Sequence, residues 1–171
     1  MIVKDKTFEI LDPIKQLNLY GYKDYFNLFI SLYNKKKLPN VILFSGSKGL
    51  GKSTFLYHFI NYLLSLNEKN KYLLNSFEIN PENLSFKLIN NETHPNFFLL
   101  KSNSETENTK VDQARNLLKF LGKTTYAENL KIVLIDNVEF LNPSASNALL
   151  KSLEEPTFNT FFFIIHNNAV K

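Results

Sequence analysis

Gly46-Ser47-Lys48-Gly49-Leu50-Gly51-Lys52-Ser53 satisfies the pattern G-x-x-x-x-G-K-[ST] at every specified position. In that pattern glycines let backbone N–H groups turn inward around phosphate oxygens. Lys52 can then reach the β and γ phosphates, and the Ser53 hydroxyl can hold Mg²⁺. Three of the five glycines of the chain lie in these eight positions. At ordinary composition a chance match is expected in about one of a few hundred chains of this size. The flanks agree: Val41-Ile42-Leu43-Phe44 is a short apolar run of strand type, and Thr54 to Leu66 carries apolar residues at helical spacing. Strand, loop and helix therefore come in the order a phosphate-binding loop requires. The expected nucleotide contacts are Gly46, Ser47, Lys48, Gly49, Leu50, Gly51, Lys52, Ser53 and Thr54, with ATP and Mg²⁺ as the ligands.

The chain of 171 residues is long enough for one good core, and a single domain over residues 1–171 is expected. A hydrophobic content of 44% and a charged content of 21% are ordinary for a soluble globular protein and argue against disorder. The net charge of +4 comes from lysines spread along the chain, with Arg115 as the single arginine, so the balance permits nucleic-acid binding without indicating it. With no cysteine there is no disulfide framework, thiol nucleophile or cysteine zinc site. No apolar run approaches the ~20 residues of a membrane span, and a cytoplasmic location is expected.

Ahead of the loop, Tyr22, Tyr25, Phe26, Phe29, Ile30 and Tyr33 form a stripe of helical spacing. Lys35-Lys36-Lys37 then reads as a solvated helix end rather than a DNA contact. After the loop, Phe55, Leu56, Phe59, Ile60, Leu63 and Leu64 mark one helix face, while His58 reads as a packing or surface residue. Asn67 to Glu92, rich in Asn, Lys and Glu, reads as irregular and partly mobile. Asn96 to Leu100 is a second strand candidate, and Ser102 to Thr109 a polar loop. Val111, Ala114, Leu117, Leu118 and Leu121 predict an amphipathic helix with Gly122 as its stop.

Lys131-Ile132-Val133-Leu134-Ile135-Asp136 is a nearly continuous apolar run ending in a carboxylate, the composition of a parallel strand buried on both faces. Ligands of open α/β sheets bind at the carboxyl ends of the strands, so Asp136 and Ser53 are the expected Mg²⁺-holding pair. Asn142-Pro143 starts a further helix, and Thr160 to Ile165 a further strand. Central positions in the sheet are expected for Val41–Phe44, Lys131–Ile135 and Thr160–Ile165. The strand end His166-Asn167-Asn168 should lie at the same edge as Asp136.

Ile135-Asp136-Asn137-Val138-Glu139-Phe140-Leu141-Asn142-Pro143, followed by Asn147-Ala148-Leu149-Leu150-Lys151-Ser152-Leu153-Glu154-Glu155-Pro156, resembles the AAA+ subunits of bacterial DNA polymerase III clamp loaders. The likeness extends back through Val111-Asp112-Gln113, the phosphate loop and Leu38-Pro39-Asn40. The resemblance implies a three-layer α/β P-loop NTPase fold of AAA+ type with a mainly parallel central sheet. It also implies a part in loading the sliding clamp onto primed DNA, with the other clamp-loader subunits, the clamp and indirectly the DNA as partners, and no membrane.

Two departures favour the δ′ branch of that family over the γ/τ motor. The motor's water-activating Glu is replaced by Asn137, and its cysteine zinc module has no counterpart. Asn137 leaves no confident catalytic residue, and hydrolysis is expected to be weak or absent. Glu139, two residues past Asn137 and three past Asp136, would point to the face opposite Asp136 if the strand continued. By resemblance Asn167 occupies the sensor position that reads the γ-phosphate, and Arg115 does not occupy the position of the family's offered arginine. The family's lid and collar domains are absent from residues 1–171. The alternatives are a γ/τ-type motor ATPase and, in another class, a free-standing P-loop kinase, against which the single arginine argues.

Overall fold

The computed structural model describes residues 11–101, 107–123, 130–141 and 143–167. Four strands, β1 (Val41–Gly46), β2 (Phe97–Lys101), β3 (Lys131–Asp136) and β4 (Thr160–Asn167), form one sheet in the order β1-β4-β3-β2. Every pairing is parallel. Parallel neighbours need crossover connections, and the helices α1 (Lys23–Asn34), α2 (Lys52–Leu64), α3 (Leu84–Asn90), α4 (Glu107–Gly122) and α5 (Pro143–Glu154) surround the sheet.

Side-chain alternation along the inner strands sorts the core into two halves. Ile132 and Leu134 of β3 and Phe161, Phe163 and Ile165 of β4 pack with α1, α2 and α3 residues such as Phe26, Phe59 and Ile89. Val133, Ile135 and Phe162 point the other way, onto Leu117 of α4 and Leu149 of α5. Helices, sheet and helices therefore make three layers, as the continuous apolar runs of β3 and β4 require of strands covered on both faces.

The expectation that Val41–Phe44 is central is corrected. Among the described residues β1 is an edge strand, half-buried, with Leu43 59% exposed. The apolar run alone did not separate an edge strand packed mainly on one face from an inner one. The helix after the loop is buried almost all round rather than amphipathic, and His58 on it is fully inside. In α1 the stripe narrows to Phe26 and Ile30, with Tyr25 turned outward. Phe26 is ringed by Phe55, Phe59, Tyr62, Tyr72 and Phe77 at centroid distances of 5.4–6.0 Å. Lys35, Lys36 and Lys37 are exposed just past the end of α1.

Asn67 to Glu92 is more organised than its composition suggests. Asn83 caps α3 by accepting from the Phe86 N–H at 2.7 Å, and its side chain also joins Asn61 at 3.0 Å and the Asn70 carbonyl at 2.8 Å. The Glu68 carboxylate accepts from the N–H groups of Leu84 and Ser85 at 2.8 and 2.9 Å. Asparagines that looked like loop composition are thus cap and cross-links. The helix α4 begins at Glu107, inside the stretch expected to be a loop. The rest of that expected loop (102–106), the cap Asn142 and the strand-end Asn168 lie outside the described residues, as do the side chains of Val111 and Ala114.

Candidate nucleotide-binding site

At the carboxyl end of β1 the chain turns sharply into α2, and the turn is set by glycine. Gly51, at φ 77° and ψ 14°, is the residue before the first helical turn, and Gly49 has φ 90°. Both lie in the left-handed region where a side chain is strained. The loop closes around the side chain that follows it: Lys52 Nζ donates to the carbonyls of Gly46 and Ser47, each at 2.8 Å. The first helical bond is Phe55 N–H to Gly51 O at 2.9 Å, so the N–H groups of Lys52, Ser53 and Thr54 precede the helical ladder. A cluster of unpaired N–H groups at a helix N-terminus, beside an ammonium, is an anion receptor.

The loop opens on a cleft of about 730 Å³. Lys48, Gly49, Gly51, Lys52, Ser53 and Thr54 line one side of it, and Asp136, Asn137 and Asn167 close its end. Of the expected loop residues, Gly46 ends β1, Ser47 offers its carbonyl to Lys52, and Leu50 is half-exposed at the outer turn. Asp136 and Asn167, far from the loop in sequence, are brought to the same cleft by the strand order.

The opposite wall was not legible in the sequence. It consists of the segment ahead of α1, including Pro13, Gln16, Asn18, Tyr20 and Tyr22. Leu19 N–H to Phe77 O at 3.0 Å and Ile79 N–H to Leu17 O at 2.8 Å hold this segment in place. The Tyr22 hydroxyl donates to the Leu50 carbonyl at 2.5 Å and so joins the two walls. No local motif announces such a wall, because its position depends on pairing with residues about sixty positions away.

At the strand ends, burial pushes the Asp136 carboxyl above its usual range and Glu139 adds to that rise, while the Asn137 backbone N–H, Lys101 and Lys52 oppose it. Asn137 adopts φ 57° and ψ 55°, a left-handed conformation that Asn tolerates better than most residues, and Val138–Phe140 follow as a 3-10 turn. The strand therefore does not continue, so strand alternation no longer sets the direction of Glu139. Its two carboxylate oxygens each lie 3.3 Å from the Asn167 backbone N–H. Across the same gap Asn167 Nδ2 donates to Asn137 Oδ1 at 2.6 Å.

Two other clusters have structural explanations. Ser85 Oγ lies 3.1 Å from His94 Nε2 and 2.5 Å from Glu68 Oε1, the residue types of a nucleophilic triad. However, the Asn96 N–H donates to His94 Nδ1 at 3.1 Å, which leaves the proton of the neutral ring on Nε2, and such a ring cannot accept the serine proton. His58 Nδ1 pairs with the Tyr72 hydroxyl at 2.9 Å deep in the core. Burial lowers the pKa of each of these two histidines to about 4.

Residues 21–171 match the sequence family described as DNA polymerase III, delta subunit. The chain belongs to that family. Among curated relatives of this delta-family chain, DNA polymerase III subunit delta' of Pseudomonas aeruginosa is 41% identical over 73 residues, 43% of this chain and 22% of that protein. Subunit delta' of Buchnera aphidicola subsp. Schizaphis graminum is 31% identical over 83% of this chain and 41% of its own length. Subunit gamma/tau of Mycoplasma genitalium is 26% identical over 88% of this chain and 24% of its own length. The chain thus spans less than half the length of these relatives, and the resemblance to clamp-loader subunits drawn from Ile135 to Pro156, with its δ′ leaning drawn from Asn137 and the absence of cysteine, is borne out. Among the described residues no helix is long and apolar enough to cross a membrane.

Proposed function

We propose that this chain is an ATP-binding, δ′-like subunit of the DNA polymerase III clamp loader, which helps load the sliding clamp onto primed DNA and hydrolyses little ATP itself. The observation that carries the reading is the closure of the loop carbonyls on Lys52 in a cleft whose far end holds Asp136 and Asn167. Lys52 supplies the charge for the β and γ phosphates, and the N–H groups at the start of α2 supply neutral donors. The Ser53 hydroxyl and the Asp136 carboxylate are hard oxygen donors of the kind Mg²⁺ takes. A half-buried carboxyl whose pKa is raised by burial and by Glu139 is one that a cation would stabilise. When bound, Mg²⁺ neutralises phosphate charge.

In this reading residues 1–171 act as one nucleotide-binding domain within a cytoplasmic hetero-oligomer whose other subunits, clamp and primed DNA are its partners. Calorimetric titration with Mg·ATP tests the binding: wild type should give a saturable isotherm and Lys52→Ala should not. A silent wild type overturns the reading. The similarity to the Mycoplasma gamma/tau subunit favours a second reading, an active motor ATPase. Asn137 opposes it, because an amide cannot take a proton from the attacking water. A free-standing kinase fits less well, since Arg115 sits on α4 rather than on a lid over the cleft.

A further inference from the structure

An amide at residue 137, where the resemblance implies a carboxylate, removes a general base, but the geometry around the amide gives it a use. A primary amide carries one acceptor oxygen and two N–H donors. Asn137 Oδ1 accepts from Asn167 Nδ2 at 2.6 Å, so the oxygen is turned toward β4. Among the described residues none accepts a hydrogen bond from Asn137 Nδ2, and Asn137 lines the cleft beside Asp136. The free part of the side chain is therefore its donor end.

We propose that Asn137 is a specificity-determining residue that donates to an oxygen of the terminal phosphate of a bound nucleoside triphosphate, with Asn167 as the positioning residue that fixes its amide. The inference rests on the nucleotide-binding reading above. Asn167 is itself held from behind, because its backbone N–H faces both oxygens of Glu139 at 3.3 Å. Since Glu139 lies on the turn that Asn137 begins, the three residues close a ring between the ends of β3 and β4. The left-handed backbone of Asn137 suits Asn, and it aims a short side chain where a strand residue would not. The physical contrast with a carboxylate is one of sign. A carboxylate at this position is an acceptor only and repels phosphate in the ground state, whereas N–H donors attract it. A site built this way holds a triphosphate in preference to a diphosphate without activating water against it.

The test compares ATP and ADP affinities, each with Mg²⁺, by titration calorimetry for wild type, Asn137→Asp and Asn137→Ala, with thermal melts as a check on folding. Asn137→Asp keeps the oxygen that Asn167 needs and tolerates the left-handed backbone, but it exchanges the donors for charge. It should weaken ATP binding by about tenfold or more and ADP binding by less than about threefold, with Asn137→Ala in between. An unchanged ATP-to-ADP ratio in Asn137→Asp, or a parallel loss for both nucleotides, overturns the inference and leaves the nucleotide-binding reading standing. A wild type that binds neither nucleotide overturns both.

Discussion

Gly46, the first residue of the glycine-rich loop, is the register partner of Asn167 at the end of β4. The pairing fixes where the loop lies relative to the strand-end amides, because a parallel ladder sets the two strand ends level. Lys52 is held against Gly46 by a 2.8 Å bond, so charge, loop and strand end form one rigid corner. Lys52→Ala removes both the phosphate charge and the bonds that close the loop. Charge-assisted bonds from Lys52 to two phosphate oxygens would contribute roughly 3 kcal/mol or more together, and their removal corresponds to a loss of at least about a hundredfold in ATP affinity. Calorimetry with Mg·ATP measures it, and an affinity within tenfold of wild type would show that the loop does not grip phosphate.

Hydrolysis should be near background for the isolated chain, where neither a general base nor a neighbouring arginine is available. The discriminating experiment is Asn137→Glu in a reconstituted loader. A general base contributes on the order of 10²–10⁴ in rate. Forcing Glu into the left-handed backbone of residue 137 costs about 1–2 kcal/mol, about tenfold, against that gain. The base should win, and turnover should rise by at least about tenfold. Wild type turning over as fast as the variant would return the lead to the motor assignment.

Acid should destabilise the fold well above the usual carboxylate range. His58 is fully buried and has a pKa near 4 in the folded chain, with burial as the main cause and the Gln16 backbone opposing it. The unfolded chain therefore binds protons first. The stability contributed by neutral His58 is fully present above about pH 6.5 and is lost progressively as pH falls toward 4. At pH 5 the loss is about 2 kcal/mol from this residue, and His94 acts in the same direction. Urea unfolding at pH 7 and pH 5 measures it. His58→Phe should flatten the profile, and an equally steep profile in that variant would assign the effect elsewhere.

Phe26 joins α1 to α2 and to the Tyr72–Phe77 segment through five aromatic neighbours, and it has no exposed surface. Truncation to alanine leaves a cavity among large rings that cannot collapse together. Phe26→Ala should cost about 3–5 kcal/mol and lower the thermal midpoint by roughly 10 °C. A shift of only a degree or two by calorimetry would mean that this aromatic cluster repacks freely.

The sequence by itself determined what is local. The glycine-rich loop, the strand before it and the helix after it follow from glycine conformations and apolar spacing within about thirty residues, so they were legible without a structure. The runs ending at Asp136 and Asn167 were legible for the same reason, and with them the α/β class and one edge of the site. Tertiary structure decided what depends on distant pairing. The place of β1 at the edge of the sheet among the described residues, the Leu11–Tyr22 wall of the cleft and the return of Glu139 to Asn167 have no local signature. Each is set by hydrogen bonds or packing between segments far apart in the chain, where the entropy of closing long loops is offset only once the whole core forms. Asn137 stands between the two cases: the sequence showed an amide where the resemblance implies a Glu, but only the fold showed its left-handed backbone and which partner takes its oxygen.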